Sequence, residues 1–210
     1  MKKRLVAFDI YKTCLSALWE ERLFPFIVEK FDLQEQFKAV VDAFLTIQAP
    51  AQEIIWKFVD LSLLPEREVE EIFTSYDERV NQVLSAVDFF PETLSTLQKL
   101  KQQGYAIAAV SNVSARFLMP IEQLLWNMFD YTLLSCKIGM KKPDGKIFEL
   151  LKQQSWCHSE EILMVGDSIK SDVEGAKSAG IDALWINRDG RKEPVNYPTI
   201  TSLDKVFDFL

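Results

Sequence analysis

The chain has 210 residues, 48% hydrophobic and 26% charged, with 7 Gly and 8 Pro, which suits one compact domain, or one with a sizeable insertion, that buries its own core. A formal net charge of -7 opposes phosphate backbones and anionic lipid, so no nucleic acid and no membrane are expected as partners. A small-molecule substrate is expected, taken by a monomer or homodimer. Met1 to Arg4 is basic, but the apolar run at 5–8 is far too short for a signal-peptide core and no later stretch spans a bilayer, so a cytoplasmic location is expected. Cys14, Cys136 and Cys157 are odd in number and widely spaced, with no CxxC spacing or histidine partners, and read as reduced packing residues.

In chain order, the first strand-like run is residues 5–8, which stops at Asp9. Residues 14–87 hold no convincing strand but several amphipathic stretches, among them 53–63 and 68–87, and read as a helical insertion. Pro25 is expected to kink or divide the first of these helices, and Pro65 to open a later one in its first turn. The chain then alternates. A helix over 91–103 stops at Gly104, a strand covers 105–110 and another 131–135; a helix covers 147–154, a strand 162–165, a helix 172–179 closed by Gly180, and a strand 183–186. Most strand-like runs are continuous rather than alternating, as strands buried on both faces of a parallel sheet are. The expected class is therefore α/β, a doubly wound, mainly parallel, Rossmann-like sheet, with residues 1–13 and 88–210 as the core. Residues 187–198, with Gly190, Pro194 and Pro198, read as a surface loop before a short C-terminal helix.

Four polar clusters each follow a strand-like run: Asp9 to Thr13, Ser111-Asn112, Lys142-Pro143-Asp144, and Gly166-Asp167-Ser168 with Asp172. The carboxyl ends of strands in an open parallel sheet face one crevice, so these clusters converge although they are distant in sequence. Carboxylates, a hydroxyl-amide pair and a lysine can together supply a nucleophile, donors to an oxyanion or phosphate, a charge stabiliser and a divalent-metal site. Each cluster alone has a plainer reading. Asp9 could simply end a strand, Ser111-Asn112 could form a turn, Lys142 could be solvated, and Asp167 and Asp172 could charge a helix N-terminus. Four in order favour the functional reading. His158, the only histidine, falls in a polar turn and is expected to be a solvated surface residue, while Trp19 and Trp56 are expected mainly to pack helix faces.

These motifs resemble those of the haloacid dehalogenase superfamily, in which a helical cap, here residues 14–87, is inserted after the first strand. The matching residues are the Asp-x-x-x-Thr frame of Asp9 and Thr13, then Ser111, the stretch Gly139 to Asp144, and Gly166-Asp167-Ser168 with Asp172. The resemblance implies that Asp9 attacks the substrate to give an aspartyl intermediate and that Thr13 and Ser111 hydrogen-bond Asp9 or the transferred group. Lys142 neutralises the crowded negative charge. It further implies Mg²⁺ held by Asp9, Asp167 and the backbone carbonyl of Tyr11, with Asp172 nearby, a hard-oxygen set that suits this ion.

Two features pull apart. Phosphatases of this kind carry an aspartate where Tyr11 stands, and losing that general acid costs on the order of 10²–10⁴ in rate; a phenol of pKa about 10 is an imperfect substitute. Asp-x-Tyr-Gly-Thr is how the 2-haloacid dehalogenase branch writes this motif, since halide leaves without a proton. That branch works without metal, lacks the counterpart of Asp167 and uses a cap arginine, whereas here only Lys30, Lys38 and Lys57 stand between Arg22 and Arg67. Lys12 also replaces the usual glycine. The acidic pair favours a Mg²⁺-dependent phosphatase of a small phosphorylated metabolite, with good leaving groups such as acyl or aryl phosphates; C–halogen hydrolysis and an impaired or non-enzymatic binding protein remain the alternatives.

Overall fold

The computed structural model describes residues 2–16, 23–190 and 197–210; Trp19, Arg22 and Pro194 lie outside them. Strand β1 (Leu5–Phe8) is followed by a short β2 (Leu15–Ser16), helices α1 (Leu23–Lys30), α2 (Phe37–Thr46), α3 (Ala51–Ile55) and α4 (Glu66–Ser85), and a short β3 (Asp88–Phe89). Then come α5 (Thr93–Gln102), β4 (Ala106–Ser111), α6 (Leu118–Leu124), β5 (Tyr131–Leu134), α7 (Ser135–Ile138) and α8 (Gly145–Ser155). The chain finishes with β6 (Ile162–Gly166), a π-helical turn over Ile169–Glu174, α9 (Gly175–Ser178), β7 (Asp182–Ile186), β8 (Thr199–Ile200) and a 3₁₀ segment, Leu203–Phe209.

Six strands form one sheet in the order β5-β4-β1-β6-β7-β8, and every pairing is parallel. This is the doubly wound α/β architecture that the continuous apolar runs predict. Because β1 lies between β4 and β6, the winding reverses there, and a crevice opens beyond its carboxyl end. Side chains alternate between two apolar layers, as the strand period of two requires. Leu5 and Ala7 pack with Ala108, Val110 and Met164 on one face, and Val6 and Phe8 with Ile107, Ala109 and Val165 on the other. The second layer continues without a break into the helical segment through Ile27, Val40, Phe44 and Tyr76. Burying each such side chain fully is worth about 1.5–3 kcal/mol.

Within residues 23–85, α4 buries Val69, Ile72, Tyr76 and Val80, spaced three or four apart along one helical face. The expected helix over 53–63 is instead α3, which stops at Trp56, followed by a 3₁₀ turn at Leu61–Leu63. Asp60 makes the break: its carboxylate accepts from the Ser62 N–H and O–H, a local bond that competes with helical continuation. Pro25 does not divide α1, which runs through it from Leu23 to Lys30. Pro65 occupies the N-cap of α4. A strand pair missed in the sequence joins Leu15–Ser16 antiparallel to Asp88–Phe89, too short to show a period of two. Residues 191–196 of the expected 187–198 loop lie outside the described residues, and directly after that loop Thr199–Ile200 adds a sixth strand, β8, that the sequence reading did not foresee, paired with β7. Among the described residues, no helix is long and apolar enough to cross a membrane.

Candidate active site

Asp9 directly follows β1, and its N–H donates to the Val165 carbonyl at 2.9 Å, one step beyond the β1–β6 register. The chain then turns sharply. The N–H groups of Cys14 and Leu15 both donate to the Ile10 carbonyl, at 2.7 and 2.8 Å, and Lys12 N–H donates to the Leu15 carbonyl at 2.7 Å. Lys12 holds φ +62°, a left-handed conformation costing a side-chain-bearing residue about 1–2 kcal/mol, which explains why glycine is the ordinary choice at this point in the motif. Thr13 ends in the core with its Oγ1 buried and without a hydrogen-bond partner.

Lys142 ties two of the carboxylates together. Its Nζ, almost wholly buried, donates to Asp9 Oδ1 at 2.8 Å and to Asp172 Oδ1 at 2.6 Å. Asn112 fixes this lysine by its backbone: Nδ2 donates to the Lys142 carbonyl at 2.8 Å, and Oδ1 accepts from the Lys142 N–H at 2.7 Å. The amide is therefore spent on orienting Lys142 rather than on an oxyanion. Ser111, the last residue of β4, is buried at the same edge of the sheet.

Asp172 is delivered by the π-helical turn, an irregularity often found at functional sites. Its Oδ2 accepts from the Ser168 N–H at 2.9 Å. Gly166 makes the approach possible, because a Cβ there would collide with the Asp172 carboxylate. Trp185 on β7 donates its indole N–H to the Asp167 carbonyl at 3.0 Å and so steadies the third carboxylate. Oxygen atoms of Asp9, Asp167 and Asp172 all lie within 4.8 Å of one another.

One ammonium cannot neutralise this cluster. Burial works against the charged form of Lys142, but Asp172 and Asp9 outweigh it and hold the lysine above its usual pKa. Burial pushes Asp172 up, Lys142 pulls it down, and Asp9 pushes it up again, leaving it at about 7. Buried carboxylates in excess of their cations are costly unless a further positive charge joins them. The oxygen-only donor set, the orphaned Thr13 hydroxyl and the space secured by Gly166 fit a hard divalent cation beside a bound anion.

Tyr11 does not face this cluster with a spare proton. Its side chain is buried in the apolar layer, the phenol donates to the Phe117 carbonyl at 2.8 Å, and the ring meets Phe117 edge-on.

Residues 27–186 match the profile of the haloacid dehalogenase-like hydrolases, over more than half of the chain. The chain belongs to this family. The match takes in Ser111, Asn112, Lys142, Asp167 and Asp172, and the Asp9 turn precedes it. Among curated relatives, a glyceraldehyde 3-phosphate phosphatase of Methanothermobacter thermautotrophicus is 33% identical over 102 residues, 48% of this chain; the chain spans 45% of that relative's length. A crystal structure of a HAD phosphatase from Thermococcus onnurineus superposes with a TM-score of 0.65 at 24% identity, covering 100% of this chain and 97% of that one. A 2-haloacid dehalogenase structure from Pseudomonas syringae pv. Tomato DC3000 gives 0.70 at 20% identity, covering 99% and 97%. Phosphatase and dehalogenase thus share this hydrolase fold.

Sequence reasoning named Asn112 but not the bonds it makes, and it missed two other supports of the site, Trp185 and Arg188. The Asn112 grip spans 30 residues and the Trp185 bond 18, and Arg188, which donates to the Thr13 carbonyl at 2.7 Å, lay in what read as a surface loop. The nitrogen-bearing ends of Asn112, Trp185 and Arg188 were visible as residues past or near strand ends, but only the tertiary fold shows what each one holds.

Proposed function

We propose that this hydrolase is a Mg²⁺-dependent phosphatase of a small phosphorylated metabolite, acting through an aspartyl-phosphate on Asp9. The observation that carries the reading is the group of three carboxylates within 4.8 Å of one another around one lysine. Halide displacement from carbon needs no third carboxylate. Asp9, Asp167 and the backbone carbonyl of residue 11 would hold the ion, with Asp172 beside them. When bound, Mg²⁺ supplies the positive charge that lets an anionic phosphoryl group enter an acidic site.

A carboxylate oxygen of Asp9 attacks phosphorus, and the bond from phosphorus to the leaving oxygen breaks. Water then hydrolyses the acyl phosphate and releases Asp9 and inorganic phosphate. Lys142 spreads its charge over Asp9 and Asp172, and the unpartnered Thr13 hydroxyl is available to the transferred group. Because the Tyr11 phenol is committed to Phe117, this chemistry draws no proton from it, which favours acyl or aryl phosphates whose leaving oxygen is weakly basic. A cleft of about 140 Å³ lined by Lys12, Ser16, Phe90, Asp167 and Arg188 offers room for a small substrate.

The test is an assay with p-nitrophenyl phosphate and with 2-chloropropionate, each in Mg²⁺ and in EDTA. Phosphate release that disappears in EDTA and returns with Mg²⁺ is expected. Halide release in EDTA would overturn the reading.

A further inference from the structure

The loop after β7 brings a fifth side chain to the crevice. Arg188 is mostly buried, and its Nη2 reaches both the Thr13 carbonyl and Glu92 Oε1 at 2.7 Å. The guanidinium carbon lies 3.6 Å from the centre of the Phe90 ring, which it covers as a flat cation does an aromatic face. Nε is buried without a partner. Glu92 is itself anchored, since Oε1 also accepts from the Leu203 N–H at 3.1 Å. The two segments that Arg188 touches are already stitched to each other: Phe90 N–H donates to the Cys14 carbonyl at 3.2 Å, and Thr93 Oγ1 donates to the same carbonyl at 2.8 Å.

We propose that Arg188 is a positioning residue that fixes the turn from Asp9 to Thr13, and through the Thr13 backbone sets where the Thr13 hydroxyl stands. The juxtaposition is specific. A charged group placed for solubility would not be buried beside a backbone carbonyl, nor stacked on the residue that follows β3. A buried guanidinium is tolerated because its plane meets an aromatic face and its charge meets an anchored carboxylate. The turn it holds contains the left-handed Lys12, a conformation that persists only where its surroundings over-determine it. Arg188 supplies that constraint from the far side of β6. Its effect on rate rests on the phosphatase reading, in which Thr13 contacts the transferred group.

The test separates the two ideas. Arg188→Met is made together with Glu92→Gln, so that no carboxylate is left buried alone, and Arg188→Lys serves as the second variant should the pair fail to fold. Hydrolysis of p-nitrophenyl phosphate in Mg²⁺ should lose about tenfold or more in kcat. In a Thr13→Val background the same change should cost no more than about twofold, because residues acting through one another are not additive. Amide hydrogen exchange reads the clamp without any turnover: the N–H groups of Cys14, Leu15 and Phe90 should exchange about tenfold faster or more, with β1 and β6 unchanged. Full additivity with Thr13→Val, or unaltered exchange at those three amides, overturns the inference. A wild-type protein that releases no phosphate overturns the phosphatase reading instead, and exchange alone then decides whether Arg188 holds the turn.

Discussion

Gly166 and Tyr11 each carry a consequence that the motif does not state. Asp172 occupies the space where a Cβ on residue 166 would be, so Gly166→Ala must displace the carboxylate that holds Lys142 and the Ser168 N–H. We expect loss of about 10²-fold or more in kcat/KM, with a weaker response to added Mg²⁺, measured by steady-state kinetics across a Mg²⁺ titration. At Tyr11, a phenol acting as general acid and a phenol tied to a carbonyl make opposite predictions. Removing a catalytic acid costs about 10²–10⁴ in rate, whereas Tyr11→Phe should leave turnover within about threefold and cost about 1 kcal/mol of stability by orphaning the Phe117 carbonyl. A chain of this size should then melt roughly 2–4 °C lower, seen by calorimetry. Asp9→Asn tests the nucleophile directly, with turnover expected to fall about 10³-fold or more.

Among the elements, the loop after β4 acts at a distance through Lys142. Asn112→Ala removes both bonds to the Lys142 backbone, and we expect kcat to fall about 10–100-fold while KM changes little, because the lysine would no longer be aimed between Asp9 and Asp172. Equal loss in Asn112→Asp, which keeps the acceptor for the Lys142 N–H, would point to the donated bond as the one that matters. The five main strands of the sheet were readable because their apolar runs are continuous and end in polar clusters, and convergence of Asp9, Lys142, Asp167 and Asp172 followed from parallel topology alone. The rest was hidden for physical reasons. Asp60 breaks a periodic stretch by a two-residue hydrogen bond, β2 and β3 are two residues each, and Arg188 becomes informative only when Thr13, Phe90 and Glu92 are brought to it. Tyr11 showed in the sequence which acid was missing, but not that its hydroxyl was already spent.

For the whole molecule, the cysteines report how closed the core is. All three are buried and free; burial pushes the Cys14 thiol strongly up, with the charge of Asp9 adding to it, and burial pushes Cys136 up to about 11. Since the thiolate is the reactive form, a thiol near pKa 11 is ionised to only about one part in a thousand at pH 8, and its labelling rises as pH climbs toward that value. Native protein should therefore leave Cys14 and Cys136 unmodified by iodoacetamide at pH 8, while denatured protein takes up three adducts by intact mass. Fast native labelling at Cys14 would show that the turn beside Asp9 opens.

The short β2–β3 pair has a consequence of a different order. The helical segment departs at Ser16 and rejoins at Asp88, and these two residues are direct partners, with Ser16 Oγ also donating to the Asp88 carbonyl at 3.1 Å. Exit and return thus share one doorway. To the sheet, the excursion between them is a closed loop whose length enters only logarithmically into the entropy of holding its ends together. Changes in length within the excursion therefore cost the sheet little in closure entropy, provided that the side chains which share its apolar layer, Ile27, Val40, Phe44 and Tyr76 among them, keep covering it.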